Sequence, residues 1–166
     1  MNPLLLWLES SAFSIWMRES PSIFGFPGIL AAHTIGLGLL GGLSVALDLR
    51  VLGVAPGMPA NVFRRFVPMM WVGFWINLLS GLALLMAYPA KALTNPVFYL
   101  KLALIATSII LLVVILRRTV VPVAAGEGRR LKLLAGASLV VWAAATTAGR
   151  LLAYTCTWLM VGEPCL

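Results

Sequence analysis

One histidine, one lysine and one arginine stand inside the most apolar stretches of this chain, and they are the residues whose types could do chemistry. His33, Lys101 and Arg150 each lie in a run made otherwise of Leu, Ile, Val, Ala, Gly and Thr, and Asn77 lies near the middle of a further such run. An ionisable side chain placed among acyl chains costs at least about 2–3 kcal/mol, so each is expected to face a protein interior and to find a partner there. Taking the midpoint of each run as the centre of a bilayer, all three charged or titratable groups fall roughly 7–11 Å to the same side of it at 1.5 Å per residue. They can therefore share one layer. Helical spacing adds Thr146, Thr147, Arg150, Tyr154 and Thr157 as one polar stripe aimed at the same interior.

The chemistry of such a layer follows from its charge. Asp48 is read as standing at the end of its run, and the other acids lie in loops or tails, so no carboxylate is expected beside Lys101 and Arg150. Two buried cations without an anion imply an anionic ligand, or else a neutral lysine in a water-filled pocket. Haem b or another porphyrin would satisfy the set, with His33 as candidate axial ligand to the metal and the basic side chains pairing with propionates. A quinone or a lipid headgroup fits less well. The bland alternative for His33 is a neutral imidazole bonded to a neighbouring carbonyl. Cofactor-binding candidates are thus His33, Lys101, Arg150, Asn77 and Tyr154.

The elements that must position these residues are dictated by composition. The chain has 166 residues, of which 61% are hydrophobic and only 10% charged, and its mean hydropathy is +1.02. That leaves too little polar surface to cover a soluble globule. Several continuous apolar runs reach the roughly 20 residues that cross a hydrocarbon core, and they lack the alternation of a membrane barrel. The fold class is therefore all-α: an integral membrane four-helix bundle, one domain over 1–166, with spans at about 28–49, 67–88, 96–116 and 131–154. Residues 3–18 mix Leu, Trp and Phe with Glu9, three serines and Arg18, which predicts an N-terminal interfacial amphipathic helix and not a cleaved signal. Asn95 is placed to cap the third span, with Pro96 in its first turn.

The net charge of +7 does not point to nucleic acid, because the basic residues sit in short loops beside the spans. Arg50, Arg64, Arg65, Arg117, Arg118, Arg129, Arg130 and Lys132 fall on one side, Arg18 and Lys91 on the other. The positive-inside rule then predicts a bacterial inner membrane location with both termini periplasmic, and places Cys156 and Cys165 where a disulfide can form. The same basic loops are compatible with anionic lipid headgroups. Gly36, Gly38 and Gly41 match a dinucleotide fingerprint in letters only, since no strand precedes them. Gly38, Gly42 and Ala46, four apart, instead predict a close helix approach. Trp71 and Trp75, one turn apart, read as packing or interface anchors.

The stretch from His33 to Gly53, with its Asp48-Leu49-Arg50-Val51-Leu52-Gly53 helix end, resembles a bacterial family of small four-helix membrane proteins, as do Asn95 to Lys101 and Trp142 to Arg150. That resemblance implies the fold and no activity. More distantly, the early His and the Phe98-x-x-Lys101 pattern are similar to small membrane-embedded protoporphyrinogen oxidases and to the copper-resistance protein D superfamily, which implies haem or porphyrin chemistry in one case and copper passage in the other. Only His33 and Lys101 carry over. A single His excludes a bis-histidine site within one protomer, although a homodimer supplies a second. Three functions therefore stand: a haem- or porphyrin-binding redox protein, a membrane anchor or accessory subunit of a larger complex, and a copper-handling or transport protein.

Overall fold

The computed structural model describes residues 7–54, 56–57, 60–120 and 127–154, and these form helices and connecting turns with no strand among them. A short helix, α1 (Ala12–Glu19), precedes α2 (Phe26–Leu37), a five-residue π-helical segment (Gly38–Gly42) and α3 (Leu43–Leu52). A 3-10 segment (Ala60–Phe66) leads into α4 (Val67–Ala87), then a single-turn-scale α5 (Pro89–Leu93), α6 (Pro96–Val120) and α7 (Glu127–Tyr154). Four helical stretches are long and apolar enough to cross a membrane: Phe26–Leu52, Val62–Ala87, Pro96–Thr119 and Gly128–Leu152. The chain is a membrane protein with the expected four-helix architecture, its spans differing from the expected bounds by no more than five residues.

Local sequence explains the boundaries. The Asn95 carboxamide oxygen accepts from the Val97 amide at 2.9 Å, so the cap expected ahead of α6 is formed. Gly53 ends α3 with φ of 99°, a left-handed conformation, and its amide together with that of Val54 returns to the last carbonyls of the helix. The N-terminal segment is broken within its expected length: a helical turn at 7–9 stops at Ser10 and Ser11, and the Ser11 hydroxyl caps α1. Residues 3–6 lie outside the described part. Ser14 and Arg18 of α1 donate to the Met86 and Ala87 carbonyls at the end of α4. Those carbonyls have no intrahelical donors left, so α1 serves as a cap for α4 while Phe13, Ile15 and Trp16 stay exposed.

In the bundle α2 packs on α4, α3 on α7, and α6 on α7. The closest approach is not where the four-residue glycine repeat placed it. A Cβ at Gly38 or Gly42 would meet nothing within 4 Å, whereas one at Gly36 would lie 2.6 Å from the Asn77 amide nitrogen and one at Gly73 2.7 Å from Leu39 Cβ. Gly36 and Gly73 therefore let α2 and α4 touch backbone to backbone, and the widened π turn that follows leaves Gly38 and Gly42 on open surface. The main apolar core, including Leu47, Met70, Leu112, Ile115 and Trp142, closes the half of the bundle nearer the basic loops. Trp71 and Trp75 are exposed and hold Phe74 edge-on between them.

Candidate functional site

Opposite that core, polar side chains link the helices of the bundle. His33 on α2 and Asn77 on α4 join the two helices reciprocally: the Asn77 carboxamide donates to the His33 carbonyl at 2.9 Å, and His33 Nδ1 lies 3.1 Å from the Asn77 carbonyl. A carbonyl only accepts, so Nδ1 carries the proton. Ser80, one turn along α4, agrees with this assignment, because its hydroxyl donates to the Ile76 carbonyl and offers its oxygen to His33 Nδ1 at 3.1 Å. The imidazole is thereby fixed in one tautomer with its Nε2 lone pair uncommitted. Gly81 makes room for the ring, since a Cβ there would come within 3.2 Å of Cε1.

Lys101 on α6 is half-buried and lines the same spaces as His33. Its stem lies over Gly149 of α7, with Nζ 3.9 Å from where a Cβ would be, and it makes no hydrogen bond to a described residue. His33 and Lys101 both line a cavity of about 460 Å³ whose apolar walls include Phe26, Leu30, Leu84 and Phe98 and whose end toward α5 carries Tyr88 and Lys91. A second cavity of about 270 Å³ shares His33, Gly81, Phe98 and Lys101 and continues between α4 and α6 past Asn77, Phe74 and Leu102. One imidazole and one ammonium thus stand where a space at the bundle end joins a space between helices.

Three of the five expected site residues, His33, Asn77 and Lys101, are brought together. Arg150 is exposed on α7 and lines neither cavity; Gly149 and Leu152 supply the wall there instead. Thr146 and Thr147 are also exposed, each bonded to a carbonyl of its own helix, so the threonine stripe faces outward and not into the bundle. A hydroxyl satisfied by the preceding turn has no need of the interior. Tyr154 ends α7; Cys156, Thr157 and Cys165 lie outside the described residues. Ser80 and Gly81 are contributors that the sequence reading did not single out, although both stand one turn beyond Asn77. Asp48 requires a correction: it does stand near the end of the first span, but at 1% exposure it is a carboxyl buried inside the bundle. Among the described residues no three His, Cys, Asp or Glu side chains gather as a metal cluster.

Compared with protein-family models, curated proteins and solved structures, the chain matches none.

Proposed function

We propose that this membrane protein holds a haem- or porphyrin-class ligand, haem b in the simplest case, in the cavity shared by α2, α4 and α6, and that it serves a redox role in the bacterial inner membrane. The observation that carries the reading is the His33 ring, locked through Nδ1–H on the Asn77 carbonyl, with its Nε2 uncommitted and the residue lining two largely apolar cavities. Ligating histidines typically hold their second nitrogen in this way, which fixes the tautomer and raises the basicity of the other. The donor set is of the right chemistry for the group: His33 would hold the iron, Lys101 and Lys91 would offset acidic substituents, and the apolar lining of the cavity would take the macrocycle. Bound haem supplies one-electron chemistry at its iron. The chain's own residues orient the imidazole, exclude lipid from one side and offset the ligand's negative charge.

The test is an absorption spectrum of the gently solubilised protein. A Soret band that His33→Ala abolishes, and that Lys101→Met weakens without loss of the fold, is the expected result. If neither substitution changes spectrum, bound-ligand content or partner association, the polar layer is structural. The reading as an anchor or accessory subunit then stands, and one observation favours it: a groove of about 520 Å³ between α2–α3 and α7 exposes Gly38 and Gly42 beside Thr34 and Thr146. Small residues with hydroxyls at membrane depth suit a partner helix, and stoichiometric co-purification of another membrane protein checks it.

A further inference from the structure

A second polar site lies in the opposite half of the bundle, within the core that closes α3 on α7. Ser44 and Asp48, one turn apart on α3, and Ser138 and Trp142, one turn apart on α7, are buried at 0%, 1%, 0% and 3% exposure. Ser138 stands against the Asp48 carboxyl, and the Trp142 ring covers Gly41 on the same face of the first span, 3.3 Å from where its Cβ would be. Ser44 Oγ, Asp48 Oδ2, Ser138 Oγ and Trp142 Nε1 complete no well-formed hydrogen bond, although the Ser138 hydroxyl lies close enough to the Asp48 carboxyl to interact with it.

The two serines differ from the other helical hydroxyls, which donate either to their own helix or, like Ser14, to another. Thr34, Ser80, Thr107, Ser108, Thr119, Thr146 and Thr147 all donate to a carbonyl of their own helix. That bond is open to any helical hydroxyl, yet Ser44 and Ser138 do not form it. Orphaned buried polar atoms are rare, and finding four of them on two helices that pack on each other marks a place where something belongs. A carboxylate taken out of water must also be neutralised.

We propose that Asp48, Ser44 and Ser138 form a monovalent-cation site, taking a sodium ion or a proton in the membrane interior. Carboxylate and hydroxyl oxygens are hard donors, unsuited to the soft metals that thiols and thioethers select. One carboxylate carries too little charge for a divalent ion. Trp142 Nε1 is a donor only, so it does not ligate. The basic groups toward the same end of the elements around Asp48 are Arg50 on α3, Arg64 and Arg65 on the 3-10 segment, and Arg129, Arg130 and Lys132 on α7, which also carries Glu127 at its first residue and Arg150 near its far end. Of the basic groups at this end all but Arg50 are exposed, and Arg50 reaches the Pro56 carbonyl. They make a positive collar that an entering cation must pass and leave the carboxyl itself to its small ligand. This site is separate from the His33 cavity and does not depend on what that cavity holds.

The experiment uses the full chain in detergent and compares its melting temperature along two arms. One exchanges choline chloride for sodium chloride at equal ionic strength and fixed pH; the other lowers pH in sodium-free buffer. A ligand that binds the folded state raises stability as it is added, so the melting temperature rises by at least about 3 °C along the arm that supplies the occupant. A sodium response identifies the ion, and a response to pH alone identifies the proton. Asp48→Asn abolishes it in either case, the comparison also removing the contribution of His33, which titrates in both proteins. If Asp48→Asn does not fold, the double variant Ser44→Ala/Ser138→Ala carries the test, with a reduced response expected. Wild-type protein that responds along neither arm, or variants that respond as fully as the wild type, would overturn the assignment.

Discussion

Around the His33 ring, two small residues set how firmly Nε2 is presented. Ser80 gives Nδ1–H a second acceptor without contributing to the cavity wall, so Ser80→Ala leaves the Asn77 carbonyl in place and only loosens the ring. Loss of such an outer partner costs about 10–100-fold in metal affinity, which a ligand titration of the variant reads as weaker binding with little change in melting temperature. Gly81 and Gly149 form a contrasting pair. A Cβ at 81 would be 3.2 Å from the imidazole and would turn the ring, whereas one at 149 would rest 3.7 Å from the Lys101 stem in ordinary contact. On the proposed function, Gly81→Ala is expected to lower ligand content sharply and Gly149→Ala is not, which a haem or porphyrin assay of the purified variants checks. His33, Asn77 and Lys101 were legible in the sequence because a polar group at membrane depth has few places to go. Arg150 was misjudged for the same reason turned around: its long stem lets it sit on the surface. Asp48 was discounted by its nearness to a helix end, although Gly41, Ser44 and Asp48 recur at spacings of three and four and so share one buried face.

At the level of helices, the closeness of α2 to α4 rests on Gly36 and Gly73, and the same interface carries the His33–Asn77 link one turn away. Adding a methyl at either position drives it into backbone atoms under 3.0 Å distant, so the helices must part. Gly36→Ala and Gly73→Ala are expected to cost about 1–3 kcal/mol as overpacking, seen as a lowered melting temperature in detergent together with a disturbed His33 site. Gly38→Ala and Gly42→Ala, which meet nothing, should remain within about 0.5 kcal/mol of the parent. Helix existence and the proline and asparagine boundaries were readable from sequence, since hydropathy and cap chemistry are local. Which glycines touch a neighbour was not, because a helix apolar on all sides gives no amphipathic cue to its inner face, and the π turn at Gly38–Gly42 shifts the register that a four-residue repeat assumes. The break at Ser10 and Ser11 was equally hidden: Ser14 and Arg18 are polar in composition, but they are spent on the carbonyls of α4.

For the molecule as a whole, the two ends of the bundle differ in charge and in content. One end gathers Arg50, Arg64, Arg65, Arg117, Arg118, Arg129, Arg130 and Lys132 beside the closed apolar core, and the other carries α1, α5, Lys91 and the mouth of the His33 cavity. Short loops rich in Lys and Arg are retained on the cytoplasmic side, a bias that acts within about 15–20 residues of a span end, and all eight basic residues fall inside that range. Reversing the bundle would translocate these eight and retain only Arg18 and Lys91, of which Arg18 is already engaged by the Ala87 and Glu9 carbonyls. The expected topology therefore has both chain ends and the cavity mouth on the periplasmic side, with the Asp48 site in the cytoplasmic half. A reporter fused after Leu166 should behave as periplasmic, and a labelling tag inserted near residue 126 should be reached only after the membrane is permeabilised. Finding the 117–132 loop labelled from outside intact cells would reverse the assignment. It would then put the His33 cavity in contact with the cytoplasm and the Asp48 site toward the outer face.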